Sequence, residues 1–203
     1  MTVKADIARQ SHWLRDEALL MLEGRGAVLE TARHISRILQ ENNIAGAVIG
    51  GVAVTLHGHV RATSDVLVLV PEPLATFADH LRSAGYDFDP QRREFVHRQV
   101  PVHLIPPSLA LPTPHDFTVI DDVRTVSLAD LINLKLHSGS SSVLRSQDLA
   151  DVIALIRANQ LDGRFVSRIA KGLRSEFRRL LSAVRTDQKN RTTNGGDPYS
   201  HSG

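Results

Sequence analysis

Apolar residues recur at near-helical spacing through the first forty positions. Ile7, Trp13, Leu14, Leu19, Leu20 and Leu22 predict a helix over residues 4–22, and Val28, Ile35, Ile38 and Leu39 predict another over 27–41, with Gly24 and Gly26 breaking the chain between them. The period then changes. Residues 45–49 are short and apolar and run straight into Gly50-Gly51, the pattern of a buried strand turning sharply into a helix over 52–57 that Gly58 ends. Residues 65–70 are almost continuously apolar, as expected of a strand covered on both faces, and Pro71 and Pro73 close it before a helix over 74–84. Alternation over 94–105 predicts a hairpin with its connection at Gln99-Val100. No Asn-Gly or Asp-Gly marks that turn, and Pro101 argues that the second strand starts late or lies at an edge.

Pro106, Pro107, Pro112 and Pro114 make 106–116 a loop, and a short apolar segment follows at 117–120. Beyond it the pattern is helical. Ser127 caps a helix over 128–137 with Asp130 in the capping-box position, and Gly139 with serines 138 and 140–142 interrupts it. Leu149, Val152, Ile153 and Ile156 mark a helix over 147–159, and a third covers 164–184. The expected organisation is an α/β core over 1–120, a helical region over 121–185 and a disordered polar tail over 186–203.

Composition narrows the classes. Hydrophobic residues make up 42% of the 203 positions but aromatics only 4%, so the core is aliphatic and little surface remains for stacking bases. Cysteine is absent, which excludes disulfides, thiolate zinc sites and cysteine nucleophiles. No apolar run approaches the roughly 18 residues of a membrane span, and a cytoplasmic protein with no membrane partner is the expectation. The net charge is only +2, yet Arg164, Arg168, Lys171, Arg174, Arg178, Arg179, Arg185, Lys189 and Arg191 cluster late. That cluster is compatible with RNA binding and equally with a solvated helix face.

Candidate chemistry lies between the two apolar strands. A strand, a Gly-Gly turn, a short helix and then Arg61-x-Thr63-x-Asp65 entering a buried strand describe a cleft at strand and helix ends. Backbone N–H groups near Gly51 would cradle a phosphate, Arg61 would hold it, Thr63 would orient it or donate a proton, and Asp65 would bind a cation. The plainer alternative has the glycines only turning the chain, Arg61 pairing with an acid, and Thr63 or Asp65 capping backbone groups.

Gly50-Gly51-x-Ala53, Leu56-x-Gly58, Arg61-x-Thr63-x-Asp65, Ser127-Leu128-x-Asp130-Leu131 to Lys135-Leu136, and Asp148-Leu149-Ala150-Asp151 together resemble the nucleotidyltransferase-like superfamily. The resemblance spans residues 28–158 and is closest to the small bacterial AbiEii-like and minimal nucleotidyltransferases. It implies an α/β fold with a mixed sheet flanked by helices, followed by a C-terminal helical region. It also implies nucleotide contacts from Gly50, Gly51, Arg61, Thr63 and Lys135, with Asp148 and Asp151 bracing the helices against the core.

That family carries two Asp residues one apart on a strand and a third acid on a later strand. Asp65 matches the first, as metal ligand and catalytic residue; the second position is Leu67 and the third His103. The resemblance therefore implies a catalytically degenerate protein with a residual nucleotide or anion pocket, or a protein-partner role in a toxin–antitoxin-like setting, and no cofactor. An active protein would instead need magnesium and a nucleoside triphosphate to modify a protein, RNA or small acceptor. Rescue of that activity would draw on Glu94, Asp87 or Asp89 for a carboxylate and on His97 or His103 for a base.

Overall fold

A seven-stranded mixed sheet runs through the computed structural model, which describes residues 3–141 and 143–193. Its strands are β1 (Ala47–Ile49), β2 (Val66–Leu69), β3 (Asp87–Asp89), β4 (Glu94–His97), β5 (Val100–Ile105), β6 (Phe117–Ile120) and β7 (Val123–Val126). Their order across the sheet is β3-β4-β5-β2-β1-β7-β6. β1 pairs antiparallel with β2 and parallel with β7, while β2 and β5 are parallel. The flanking helices are α1 (Val3–Leu22), α2 (Ala27–Glu41), α3 (Gly50–Leu56), α4 (Leu74–Ser83), α5 (Leu128–Ser141), α6 (Ser146–Ala158) and α7 (Arg174–Thr193). The architecture is mixed α/β, with a central sheet between helices and a C-terminal helical region.

Strand alternation sorts the core into two layers. Val66 and Val68 join Val48, Val102 and Phe95 beneath α2 and α4, whereas Leu69, with Ala47 and Ile49, packs towards α5, α6 and α7. Leu67 follows Leu69 to the second layer. That parity aims residues 65, 67, 94 and 103 towards one side of the sheet and Phe95 with His97 towards the other.

α2 begins at Gly26 without a cap of its own. The Glu17 carboxylate of α1, itself buried, accepts hydrogen bonds from the N–H groups of Ala27 and Val28 at 3.0 and 3.2 Å. A negative group at a helix N-terminus meets unpaired donors and the positive end of the helix dipole. The same contact docks α1, whose Trp13 packs against the first core layer.

Several expectations are corrected. The β4–β5 connection falls at Arg98-Gln99, where both residues adopt left-handed φ of 48 and 69°, one position earlier than the sequence indicated. β5 is an interior strand, between β4 and β2. Pro101 is tolerated there because β2 pairs with β5 only from Val102 onwards, so the missing N–H faces no strand partner. β3 and β7 were not anticipated: β3 has three residues, and Asp121 and Asp122, both left-handed, turn β6 into β7 without glycine.

The helical region also differs. α5 continues through Gly139 to Ser141, because Leu149 of α6 packs where a Cβ on Gly139 would be, at 2.7 Å. The segment expected as a helix over 164–184 is a 3-10 turn at Gly163–Arg168, a second at Lys171–Leu173, and then α7. Residues 186–193, expected to be disordered, extend α7, and residues 194–203 lie outside the described residues.

Candidate functional site

The cleft forms where β1 turns into α3 and α5 crosses the sheet. Gly50 has φ of 74°, and a Cβ there would lie 2.6 Å from Leu67 Cδ1. Only glycine accommodates both the backbone and the leucine seated on it. At Gly51 a Cβ would meet Thr63 Oγ1 at 2.5 Å and Arg61 Nη2 at 3.0 Å. The close approach that the Gly-Gly turn permits is thus taken by the chain's own Thr63 and Arg61, which cover the backbone expected to cradle a phosphate.

Asp65 Oδ1 accepts a hydrogen bond from Thr63 Oγ1 at 3.1 Å, and its Oδ2 lies 3.8 Å from His103 Nε2. The same His103 nitrogen is 3.5 Å from Glu94 Oε2, and Glu94 is 7% exposed. The hairpin register places Glu94 beside His103, so of the three carboxylates considered for rescue Glu94 reaches the site. Asp87 and Asp89 stay on the outer strand β3, where Asp89 accepts from the N–H groups of Gln91 and Arg92. His97 points to the opposite face and stacks on Tyr86. Of the two histidines considered as a base, His103 is the one beside Asp65, and a further histidine, His137, lines the larger lobe of the cleft.

A buried ion network joins the helices to this strand edge. Lys135 Nζ lies 2.6 Å from Asp148 Oδ1 and 2.8 Å from Asp151 Oδ2, and Arg61 Nε lies 2.9 Å from Asp151 Oδ1. The two contacts to Asp151 are ion pairs by distance without hydrogen-bond alignment, whereas Gln147 Nε2 donates to Asp151 Oδ1 at 3.0 Å. Asp151 is wholly buried and Lys135 is 8% exposed. Arg61 and Lys135, both expected to contact nucleotide, are therefore committed to neutralising carboxylates. Arg145, which the sequence reading passed over, stands at the mouth with 65% of its side chain exposed and only a loose 3.8 Å contact to Asp148. Its signal was the i,i+3 spacing to Asp148 at the start of α6.

Two adjoining lobes make up the cleft. The larger, about 470 Å³, is floored by Ile49, Leu67, Ile105, Leu131 and Leu134, with Lys135 and Arg145 on its wall. The smaller, about 320 Å³, runs along Gly51, Arg61, Thr63 and Asp65 beneath Leu14 of α1. Asp148 lines the same wall and neutralises Lys135, so Arg145 is the weakly engaged cation above an apolar floor, an arrangement that suits a ligand with an apolar body and an anionic end.

The residues present do not fit the paired magnesium ions of nucleotidyl transfer. Leu67, beside Asp65 on the same strand face, offers an isobutyl group and no oxygen, and imidazole is a poor ligand for a hard cation that wants octahedral oxygen. Among the described residues no group of three or more His, Asp or Glu side chains is placed to hold a metal ion.

Three of the basic residues of the C-terminal region are engaged with their neighbours, while Arg178 and Arg185 line a shallow surface pocket. Arg164 pairs with Asp162 and Arg179 with Glu176, and these contacts hold both carboxyls below their ordinary range; Arg174 donates to the carbonyls of Ile169 and Ser167. No helix among the described residues is long and apolar enough to cross a membrane.

No family model and no curated protein matches the chain. Among solved structures, an antigenic nucleotidyltransferase-like protein from Paracoccidioides brasiliensis superposes with a TM-score of 0.51 at 16% identity, over 81% of this chain and 89% of that one. The chain has a nucleotidyltransferase-like fold. ANT(2")-Ia, solved in complex with adenylyl-2"-tobramycin, superposes with a TM-score of 0.46 at 13% identity, over 76% of this chain and 94% of its own. On this nucleotidyltransferase-like frame the cleft described above opens over Gly50, against α5.

Proposed function

We propose that the protein is a catalytically degenerate nucleotidyltransferase-like domain that keeps its cleft as a pocket for a nucleotide or another anion with an apolar body. The observation that carries this reading is Leu67, seated on Gly50 in the floor of the cleft, at the position where the resemblance puts a metal-binding carboxylate. Nucleotidyl transfer needs oxygen ligands to fix magnesium and to align the phosphates, and an alkyl side chain supplies none. Lys135, Asp148 and Asp151 then serve as a brace between α5 and α6, and Arg145 is the cation free to meet an anionic ligand at the mouth. The motif pattern supports descent from the small AbiEii-like nucleotidyltransferases, in which case a protein partner in a toxin–antitoxin-like pair is the natural setting.

A second reading rests on Glu94. With Asp65, His103 and Glu94 in one row, an atypical acid set would support transfer of a nucleotide to a protein, RNA or small acceptor. Calorimetric titration of the purified protein with ATP and CTP, with and without magnesium, separates the two when combined with a labelled-nucleotide transfer assay. The degenerate reading expects binding that is indifferent to magnesium, weakened by Arg145→Ala, and no transfer. Tight magnesium-dependent binding that Asp65→Ala abolishes, together with transfer, would overturn it in favour of the active enzyme.

A further inference from the structure

Away from the cleft, α2 and the β4–β5 turn enclose a second cavity of about 230 Å³, lined by Glu30, Thr31, His34, Arg37, His97 and Arg98. Thr31, His34 and Arg37 follow one another on one face of α2, and the hairpin brings His97 and Arg98 against them. Tyr86 holds both imidazoles in place: its ring stacks on His97 with centroids 4.5 Å apart, and its hydroxyl is 3.1 Å from His34 Nδ1. Burial keeps the Tyr86 phenol protonated, so it can donate to Nδ1 and leave the His34 ring proton on Nε2.

Two polar atoms of this cavity have no partner. Thr31 Oγ1, on a side chain 1% exposed, and His97 Nδ1 are both buried without a hydrogen bond. Buried polar atoms are almost always paired, so two unpaired ones in side chains that border one cavity call for an explanation, and a bound group that draws them in supplies one. The two arginines fix its sign. The Glu30 carboxylate is paired with Arg33 at 2.9 Å, which leaves Arg37 and Arg98 to dominate the wall. Arg98 is delivered by a left-handed turn that lacks the glycine or asparagine such turns favour.

We propose that this cavity binds a phosphate-class dianion, free or as a phosphate ester, held by Arg37 and Arg98 with Thr31, His34 and His97 as further donors. Guanidinium groups match the oxygens of such an anion through paired, charge-assisted hydrogen bonds, and the volume admits the anion with part of its water shell. Binding is coupled to protons. Burial, then Arg37 and Arg98, lowers the His34 pKa against an opposing pull from Glu41, and burial, His34 and Arg98 lower that of His97. A dianion among these groups favours the imidazolium forms, so affinity for an anion of fixed charge rises as pH falls from about 8 to about 6, while protonation of a phosphate itself opposes that rise at the acid end.

The test is a titration of the full chain with inorganic phosphate, sulfate and AMP, followed by histidine ring NMR, with the His57 ring as a remote control. Saturable shifts are expected at His34 and His97, with affinity about tenfold weaker in Arg37→Ala and in Arg98→Ala. Both changes are at exposed positions and Arg145→Ala in the cleft should leave the shifts intact. Sulfate, whose charge is constant across this range, should bind more tightly at the lower pH. A response to AMP assigns the site to esterified as well as free phosphate, and a response to phosphate without AMP restricts it to the free anion. Absence of saturable shifts at both rings, persistence of binding in both arginine variants, or loss of it in Arg145→Ala would overturn the proposal.

Discussion

Leu67 and Thr31 show how single side chains set the chemistry of the two faces. Leu67 lies on Gly50 between Ile49 of β1 and His103 of β5, so an aspartate at this position would place a half-buried carboxylate close to Asp65. Two near carboxylates repel one another, and the variant Leu67→Asp should lose about 1–3 kcal/mol, or several °C in melting temperature. Magnesium should recover part of that loss in the variant and leave the parent unmoved, as thermal denaturation with and without the ion will show. A parent protein that magnesium stabilises would remove the ground for reading the cleft as degenerate. Thr31 is the opposite case. Its hydroxyl is buried and unpaired, so Thr31→Val should raise stability in urea by about 1 kcal/mol while weakening the response to phosphate. A destabilised valine variant would mean that the hydroxyl is already satisfied.

At the scale of elements, two ionic contacts tie helices that the strand pattern alone leaves unconnected. Asp151 on α6 neutralises Lys135 of α5 and Arg61 of the segment before β2. Asp151→Ala strands two cations in a buried setting and should cost about 3–5 kcal/mol in chemical denaturation, with Asp151→Asn costing less because it retains a hydrogen-bonding side chain. Glu17 plays the same part between α1 and α2. Glu17→Ala should cost about 1–2 kcal/mol and shift the Trp13 emission to the red as α1 loosens, since Trp13 is the chain's one tryptophan. An unshifted emission would show that apolar packing docks α1 unaided. The bracing role of Asp151 was legible in the motif pattern, whereas the Glu17 contact was not: a glutamate on one helix carries no local sign that it caps another.

Across the whole molecule, three histidines bias stability in the same direction. His34 and His97 are lowered as described, and burial lowers His57, whose Nε2 donates to the Val126 carbonyl at 2.9 Å. Each folded-state pKa lies below the unfolded value of about 6.5, so the unfolded chain binds more protons as the solution is acidified. Stability should therefore be full above about pH 6.5 and decline below it, and a denaturation series from neutral to mildly acid pH should record that slope. Sulfate should offset the His34 and His97 share and leave that of His57. A stability flat across this interval would contradict the burial of all three rings.

What the sequence determined by itself was the frame: aliphatic runs of strand length, helical periods between them, and Gly50, Gly51, Arg61, Thr63 and Asp65 gathered at one strand entry, because those features are written in neighbouring residues. The missing oxygen at position 67 was equally visible, since residues 65 and 67 share a strand face by local alternation. The tertiary structure decided the rest. The short strands β3 and β7, and the turns at Arg98-Gln99 and Asp121-Asp122, escaped because left-handed backbone was adopted there without glycine. Glu94 joined His103 while His97 went to the other face because the hairpin register, a long-range property, assigned them. The glycine turn that read as a phosphate cradle proved to be filled by Thr63 and Arg61, and Lys135 proved to be neutralised. Charge and space in a cleft are sums over residues that only folding brings together.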